Sequence, residues 1–395
     1  MQPPIILIGA SVRSAAESAR RGGLSVIAVD FFGDTDCRAV AKEFHRLPRI
    51  DGSQQELLWL LGQRFANSPV IPVGGFQTTT DNHFIQTLGD RHLVDCRSPA
   101  TLRLIAGQAN IRFPETVSST QKLPHGRWLE KSLSSTGGLG VRWLDLQTSH
   151  PTASPYSASL RSKPNARQTF RQRWIAGRRY GVTYLSDGVA AICLGVCRSL
   201  HTRKVGLPFV YGGSFGPLEL SPSQLQRAND LGQAFVQHTA YSGLFNADII
   251  VDHDNQAWLL EFNLRWTASS ELIEAAMIDQ GILRAGESLL ASALRMCPGL
   301  MTAAPDFATM QQRTAEATQS KRIHRRLKKI VYASRPMAFC KNRARQYLTS
   351  AMRLRDIPAD GSEIDKGEPI VSLIVDWKRT GRMDLRQAIS SIAPR

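Results

Sequence analysis

The stretch Gly243–Glu274, GLFNADIIVDHDNQAWLLEFNLRWTASSELIE, leaves its backbone few choices. Two apolar runs flank Asp252–Gln256, a cluster of turn-forming residues, which is the pattern of a β-hairpin. Side chains alternate along a strand, so Glu261 and Asn263 share one face. A turn centred on Asp254-Asn255 sets Asp248 directly opposite Glu261. Three oxygen-bearing side chains then converge between apolar neighbours. Two carboxylates this close repel unless a cation lies between them or one takes a proton. Magnesium fits: it takes hard oxygen ligands, few of them carboxylates, and completes its octahedron with phosphate oxygens. Arg265, two residues beyond Asn263, keeps the same facing and offers a forked donor to a phosphoryl group. The solvated face of an ordinary hairpin is the alternative.

A chain of 395 residues has room for two or three domains. Strands and helices alternate over the first ~95 residues in the manner of a parallel sheet. Ile5–Ile8 is an apolar strand running into Gly9-Ala10-Ser11, and Arg13–Arg21 is a helix ended by Gly22-Gly23. Leu24–Val29 and Val70–Val73 are further strands. The start looks like a dinucleotide-binding unit, but the fingerprint glycines after Gly9 are missing, so a scaffold turn is preferred there. Pro99–Gln108 reads as a helix and Gly126–Lys131 as a strand. Gln147–Ala166 is polar and loop-like, and strand signals dominate from Phe170 to Val196. A helix follows over about Ser223–Ser242, and another runs from Glu271. Ala303–Ser320 has the composition of a linker, and Ile330–Arg395 forms a last module with one clear strand.

Six scattered cysteines without a CxxC spacing point to buried thiols rather than zinc. No apolar run approaches the ~18 residues of a membrane span, and the N-terminus lacks signal-peptide features, so a cytoplasmic protein is expected. The net charge of +16 favours anionic partners. Nucleic acid is disfavoured, because no RNA-binding aromatic motif or helix-turn-helix signature is present. The basic run Lys321–Lys329 reads as a solvated helix face.

The hairpin resembles the end of the ATP-grasp fold, where a strand-borne Asp precedes Glu-x-Asn-x-Arg and a helix. The resemblance implies that Asp248, Glu261 and Asn263 ligate magnesium, with manganese as a substitute, and that Arg265 faces the transferred phosphoryl group. Leu264 stands where the family often has Pro. Relatives also carry a strand-borne Lys before a glycine-rich phosphate loop, which falls here on Lys131 and SLSSTGGLGVR. Gly137, Gly138 and Gly140 let the backbone approach an anion, and Ser134, Ser135 and Thr136 add hydroxyl donors. A glycine-rich surface turn is the alternative for this loop. Gln172-Arg173-Trp174-Ile175 resembles the adenine hinge, with Trp174 also readable as a core residue. Arg179 stands near where several relatives hold the ribose with Glu. Tyr211–Pro217 is a second glycine-rich loop, and either Arg203 or Lys204 supplies a cation nearby.

The implied fold class is α/β: an ATP-grasp fold of two α+β lobes (98–300) after a Rossmann-like parallel α/β domain (1–97). A basic linker (301–329) and a small β-containing C-terminal module (330–395) would follow. The implied reaction uses ATP and Mg2+ to convert a carboxylate to an acyl-phosphate, which an amine then attacks. No protein nucleophile is required; Lys131 and Arg265 act by positioning and charge neutralisation. The expected substrate is small and anionic, an amino acid or a glutamate-bearing compound, since the broad layout also resembles ligases joining glutamate to an amine. A homodimer is compatible with all of this. The rivals are a carboxylase-like enzyme activating bicarbonate, a nucleic-acid-binding module and a nicotinamide-dependent dehydrogenase.

Overall fold

The computed structural model describes residues 3–47, 51–65, 68–74, 98–118, 121–132, 137–138, 140–144, 169–204, 207–297, 302–319 and 323–393. The expected loop Gln147–Ala166 and the hydroxyls of Ser134, Ser135 and Thr136 lie outside the described residues.

Strands β1 (Ile5–Gly9), β2 (Val26–Asp30), β3 (Glu43–Arg46) and β4 (Val70–Pro72) form a sheet of order β3-β2-β1-β4. All its pairings are parallel. Every residue of β1 and β2 is buried, as expected of strands covered on both faces. The helix Arg13–Arg21 packs Ala15, Ala16 and Ala19 into a core that also holds Leu272, Leu289 and Leu290. The N-terminal sheet and the next lobe therefore share apolar packing. Gly22 permits this: a Cβ there would sit 2.5 Å from Ser288 Oγ and 2.6 Å from Ala291 Cβ.

A second sheet, order β5-β8-β6-β7, contains β5 (Thr116–Ser118), β6 (Trp128–Ser132), β7 (Val141–Trp143) and β8 (Thr169–Arg173). The third sheet has eight strands. It comprises β9 (Arg178–Asp187), β10 (Ala191–Lys204), β11 (Leu207–Gly216), β12 (Ser242–Val251), β13 (Ala257–Asn263), β14 (Arg326–Tyr332), β16 (Met352–Arg355) and β18 (Pro369–Asp376). Its order is β13-β12-β9-β10-β11-β14-β18-β16. Two short strands, β15 (Met337–Ala338) and β17 (Glu363–Ile364), pair separately.

The helix Pro222–Thr239 backs this sheet. Ser221 caps it, accepting from the Gln224 N–H while the Gln224 side chain returns to the Ser221 N–H. Pro222 occupies the first turn, where its missing N–H does no harm. Phe235 on this helix meets Phe245 of β12 and Phe262 of β13 at ring separations of 4.5 and 4.3 Å. That apolar clasp holds one face of the hairpin and frees the other.

Two readings of the sequence need correction. The segment expected as a linker contains a helix, Phe307–Gln319, whose Met310 is fully buried. The basic run is not a helix face, because its second half is β14, which continues the third sheet between β11 and β18. Alternate residues of β14 meet acids of the helix Ser270–Asp279: Lys328 pairs with Glu271 at 2.7 Å and Arg326 with Asp279 at 2.7 Å. Strand pairing across the sheet overrode the local composition, and part of the positive excess is neutralised within the fold.

Candidate active site

The hairpin β12–β13 sets Asp248 opposite Glu261 and Asn246 opposite Asn263. The route differs from a simple turn. Near the loop Val251 pairs with Ala257 and Ile249 with Leu259, a register centred on Asp254 that would put Asp248 opposite Leu260. An irregularity between Asp248 and Ile249 leaves Leu260 extra and returns Glu261 to the facing position. Phe245, Ala247 and Phe262 point to the core, so Asn246, Asp248, Glu261 and Asn263 all line the opposite side.

That side faces a cavity of about 750 Å³, within the ~300–1,000 Å³ range of small-molecule sites. The Asn246 and Asn263 amides donate to the two oxygens of Asp248 at 2.9 and 3.0 Å. Arg265 donates to Asn263 Oδ1 at 2.9 Å. Burial, then the Glu261 charge and hydrogen bond, push the Asp248 carboxyl up to about 7. Gly181 of β9 pairs with Asp248 and leaves the space beside it open. A Cβ there would stand 3.1 Å from Asn246 Oδ1 and 3.5 Å from Asp248 Oδ1.

Across the cavity, Leu129 and Lys131 of β6 and Phe170 and Gln172 of β8 project on one face. Burial pulls the Lys131 ammonium down to about 8, against the attraction of Glu261 and Asp248. The lysine and the two carboxylates are thus within electrostatic reach of each other. Gly137 and Gly138 line the cavity beside it. Gly138, at φ +78°, lies so close to β11 that a Cβ would fall 2.0 Å from the Phe209 carbonyl oxygen. The Gly137 carbonyl accepts from the Tyr211 N–H at 3.1 Å. Gly140 is used differently: its carbonyl accepts from the Ser132 N–H at 3.2 Å, inside the β6–β7 hairpin, and it does not line the cavity.

A family model for the ATP-grasp domain matches residues 100–269, a span containing every one of these groups. Residues 100–269 thus carry an ATP-grasp domain. No curated protein matches it. Among solved structures, N5-carboxyaminoimidazole synthase from Aspergillus clavatus superposes with a TM-score of 0.66 at 12% identity, covering 99% of this chain and 98% of that one. The biotin carboxylase domain of a 2-oxoglutarate carboxylase from Hydrogenobacter thermophilus gives 0.64 at 13% identity, covering 95% and 86%. An L-amino acid ligase from Bacillus licheniformis gives 0.61 at 12% identity, covering 98% and 97%. At such identities the likeness is one of fold: an ATP-grasp fold behind a parallel α/β sheet.

The remaining ATP-grasp positions divide. Gln172, Trp174 and Ile175 line the cavity. Trp174 is half-buried rather than a core residue, and Arg127 stacks over both it (4.5 Å) and Trp143 (4.1 Å). Its N–H donates to the Arg127 carbonyl at 2.9 Å, leaving its carbonyl side for a ligand. The Gln172 amide is turned to Thr116 Oγ1 at 3.3 Å. Arg179 lines the cavity, its guanidinium 4.7 Å over the Phe209 ring and its pKa lowered by burial. The side chains of Arg203 and Lys204 lie outside the described residues.

Sequence reading missed several lining residues. Asn246 was accessible to it, because two residues before Asp248 on a strand means the same face. Gly181 carried only the general signal that glycine in a strand marks a close approach. Asp34, Arg38 and Arg46 from the first domain, and Lys328 and Asp356 from the last, had no local signal.

The donors suit a small hard cation. Among the described residues no three His, Cys, Asp or Glu side chains gather as a metal cluster. A divalent ion here would rest on the Asp248 and Glu261 carboxylates and the Asn263 amide oxygen. That amide presently offers its nitrogen to Asp248, and rotation about its terminal torsion exchanges the two atoms. Among the described residues no helix is long and apolar enough to cross a membrane.

Proposed function

We propose that the chain is an ATP- and magnesium-dependent ligase that activates a carboxylate as an acyl-phosphate and couples it to an amine, forming ADP. The observation that carries this is the convergence of Asp248, Glu261, Asn263 and Arg265 on one side of a cavity whose other side holds Lys131 and the Gly137-Gly138 turn. Lys131 meets the α- and β-phosphates as a point charge. The closely seated glycine backbone covers them, with the hydroxyls of Ser134, Ser135 and Thr136 as further donors and Gly140 closing the β6–β7 hairpin behind. Trp174 and Ile175 wall the adenine, with Gln172 beside them.

Asp248, Glu261 and Asn263 hold Mg2+, or Mn2+ in its place. A divalent ion held by these three residues would supply charge neutralisation to the phosphate oxygens. Arg265, oriented by Asn263, donates to the transferred phosphoryl group. The chemistry is RCO–OPO3(2−) plus R′NH3+ giving RCONHR′, HPO4(2−) and H+, so no side chain is acylated.

Arg38, Arg46, Arg173 and Arg179 all line the cavity and support a small anionic substrate, an amino acid or a glutamate-bearing compound. ATP supply places the work in the cytoplasm. The test is ADP formation with pools of acids and amines, for wild type and Glu261→Gln. An acid-dependent rate that drops at least ~100-fold in the variant supports the assignment. Turnover by radiolabelled bicarbonate alone would move it to the carboxylase class.

A further inference from the structure

Strand order β3-β2-β1-β4 places a topological switch between β1 and β4, and ligands of such sheets bind beyond the carboxyl ends of the strands. Those ends meet the ligase centre directly: a Cβ on Gly74, just past β4, would lie 3.2 Å from Arg265 Nη1. The loop after β2 reaches the same cavity with Asp34.

Asp34 is 4% exposed, and its Oδ2 has no hydrogen-bond partner. It occupies the N-cap of the helix Thr35–Val40, where an Asp ordinarily accepts from the first-turn N–H groups, yet it makes no such bond. Its neighbours fix the loop. The Thr35 N–H donates to the Ile357 carbonyl at 2.8 Å, and Asp36 accepts from the Asp356 and Ile357 N–H groups at 2.9 and 3.0 Å. Oδ2 is therefore held in place without a hydrogen bond of its own. Its surroundings are acidic. Burial, then the charges of Asp356, Asp30 and Asp36, raise its pKa well above the ordinary carboxylate range, opposed by Arg13. A buried carboxyl in such surroundings keeps its proton until a positive partner compensates its charge, and its free Oδ2 offers the place for one.

We propose that Asp34 anchors the ammonium group of the amine substrate, a primary amine delivered from the N-terminal domain side of the cavity. This rests on the ligase reading above. Nucleotide groups gather at Lys131 and the metal ligands at the hairpin, which leaves the walls from the first domain and the last module for an acceptor, and of these the first domain's wall carries the buried acid with an oxygen lacking a partner. Arg38 and Arg46, which line the same wall and form no ion pair among the described residues, fit a carboxylate on that amine. The ligand class is an amino acid bound as a zwitterion.

The experiment compares full-length wild type with Asp34→Asn, which keeps shape and removes charge. Hydroxylamine, which carries no ammonium at neutral pH, intercepts the acyl-phosphate without needing Asp34. Hydroxamate formation should stay within ~3-fold of wild type. In amide formation with each proteinogenic amino acid as amine, KM should rise at least ~30-fold at nearly unchanged kcat. Ligand-free Asp34→Asn should unfold at the same temperature as wild type or higher, since the carboxyl oxygen Oδ2 makes no hydrogen bond there and a group costly to ionise is removed. An unchanged amine KM, a parallel loss of hydroxamate formation, or a drop of more than ~5 °C in Tm each overturns the proposal. Failure of the ligase reading looks different: wild type itself then makes no hydroxamate from any carboxylate.

Discussion

Replacing Asp248 by Asn should stabilise the fold at high pH and leave it nearly unchanged at low pH. The carboxyl sits at about 7, raised first by burial and then by Glu261. A carboxyl raised in the folded state holds its proton more tightly there than in the unfolded chain, so the folded state loses stability as pH climbs from the unfolded value toward 7. Each pH unit over that window is worth about 1.4 kcal/mol, so moving from pH 5 to pH 8 removes roughly 3 kcal/mol from the wild type. The variant has nothing to ionise and escapes this loss. It has its own penalty: an amide keeps one acceptor oxygen where the carboxylate accepted from both Asn246 and Asn263, about 1 kcal/mol. The loss begins near the ordinary carboxylate value of 3.8 and already offsets that penalty by pH 5, so Asp248→Asn should be about as stable as wild type at pH 5 and more stable by about 3 kcal/mol at pH 8. Urea denaturation without metal at both pH values measures this. Adding MgCl2 should stabilise the wild type, more at pH 8 than at pH 5, and leave the variant unmoved. Two stability curves that run parallel from pH 5 to pH 8 would refute the claim that the carboxylates strain each other until a cation arrives.

Lys131→Ala should weaken ATP binding at least ~10-fold by calorimetry. Because burial brings this ammonium down to about 8, ATP affinity of the wild type should fall as pH rises from 7 to 9 while the variant stays flat. Gly138→Ala puts a methyl group into the Phe209 carbonyl at a φ that favours glycine, so protease sensitivity of the phosphate loop should increase and ATP should no longer suppress it. Glu261→Gln should retain the wild-type Tm within a few degrees while losing at least ~100-fold in ADP formation.

Local rules reached the catalytic hairpin because its determinants are local: alternation, a turn cluster, and two acids at facing positions. Even there the agreement came through an offset, since the turn sits half a residue earlier than assumed and the extra residue at Leu260 restores the pairing. The helices Arg13–Arg21 and Pro99–Gln108 were legible residue by residue from glycine and proline punctuation. Strand β14 was not. KRIHRRLKK has no strand periodicity, and only its place between β11 and β18 makes it one. The burial of Lys328 depends on Glu271, 57 residues away in sequence. Asp34 was equally invisible, because an acid before a short helix reads as a cap, and the bond it fails to make exists only in three dimensions.

On the proposed reading, the chemistry and its selectivity occupy different parts of this chain. The groups proposed to meet phosphate, metal and the transferred phosphoryl all fall within 100–269. The walls that would meet the rest of a substrate come from outside that span: Asp34 and Arg38 from the first sheet's loops, Pro358 and Ile364 from the last module. These walls are held by one buried charge cluster. Arg13, fully buried, pairs with Glu271 and with Asp356 (Nε to Oδ1, 3.0 Å), while Lys328 pairs with Glu271. Each of the three parts contributes to it. Removing one member strands a buried charge at a cost of ~3–5 kcal/mol, so the cluster fixes how the walls meet more than it adds net stability. The shared apolar core and the eight-stranded sheet act in the same direction. Loops at the strand ends are then free to differ in sequence without disturbing the hairpin, whose own clasp is the ring cluster of Phe235, Phe245 and Phe262 on its far side. On the proposed ligase reading, a scaffold built this way would exchange acid and amine partners by changing loop residues such as Asp34 while Asp248, Glu261, Asn263 and Arg265 stay in place.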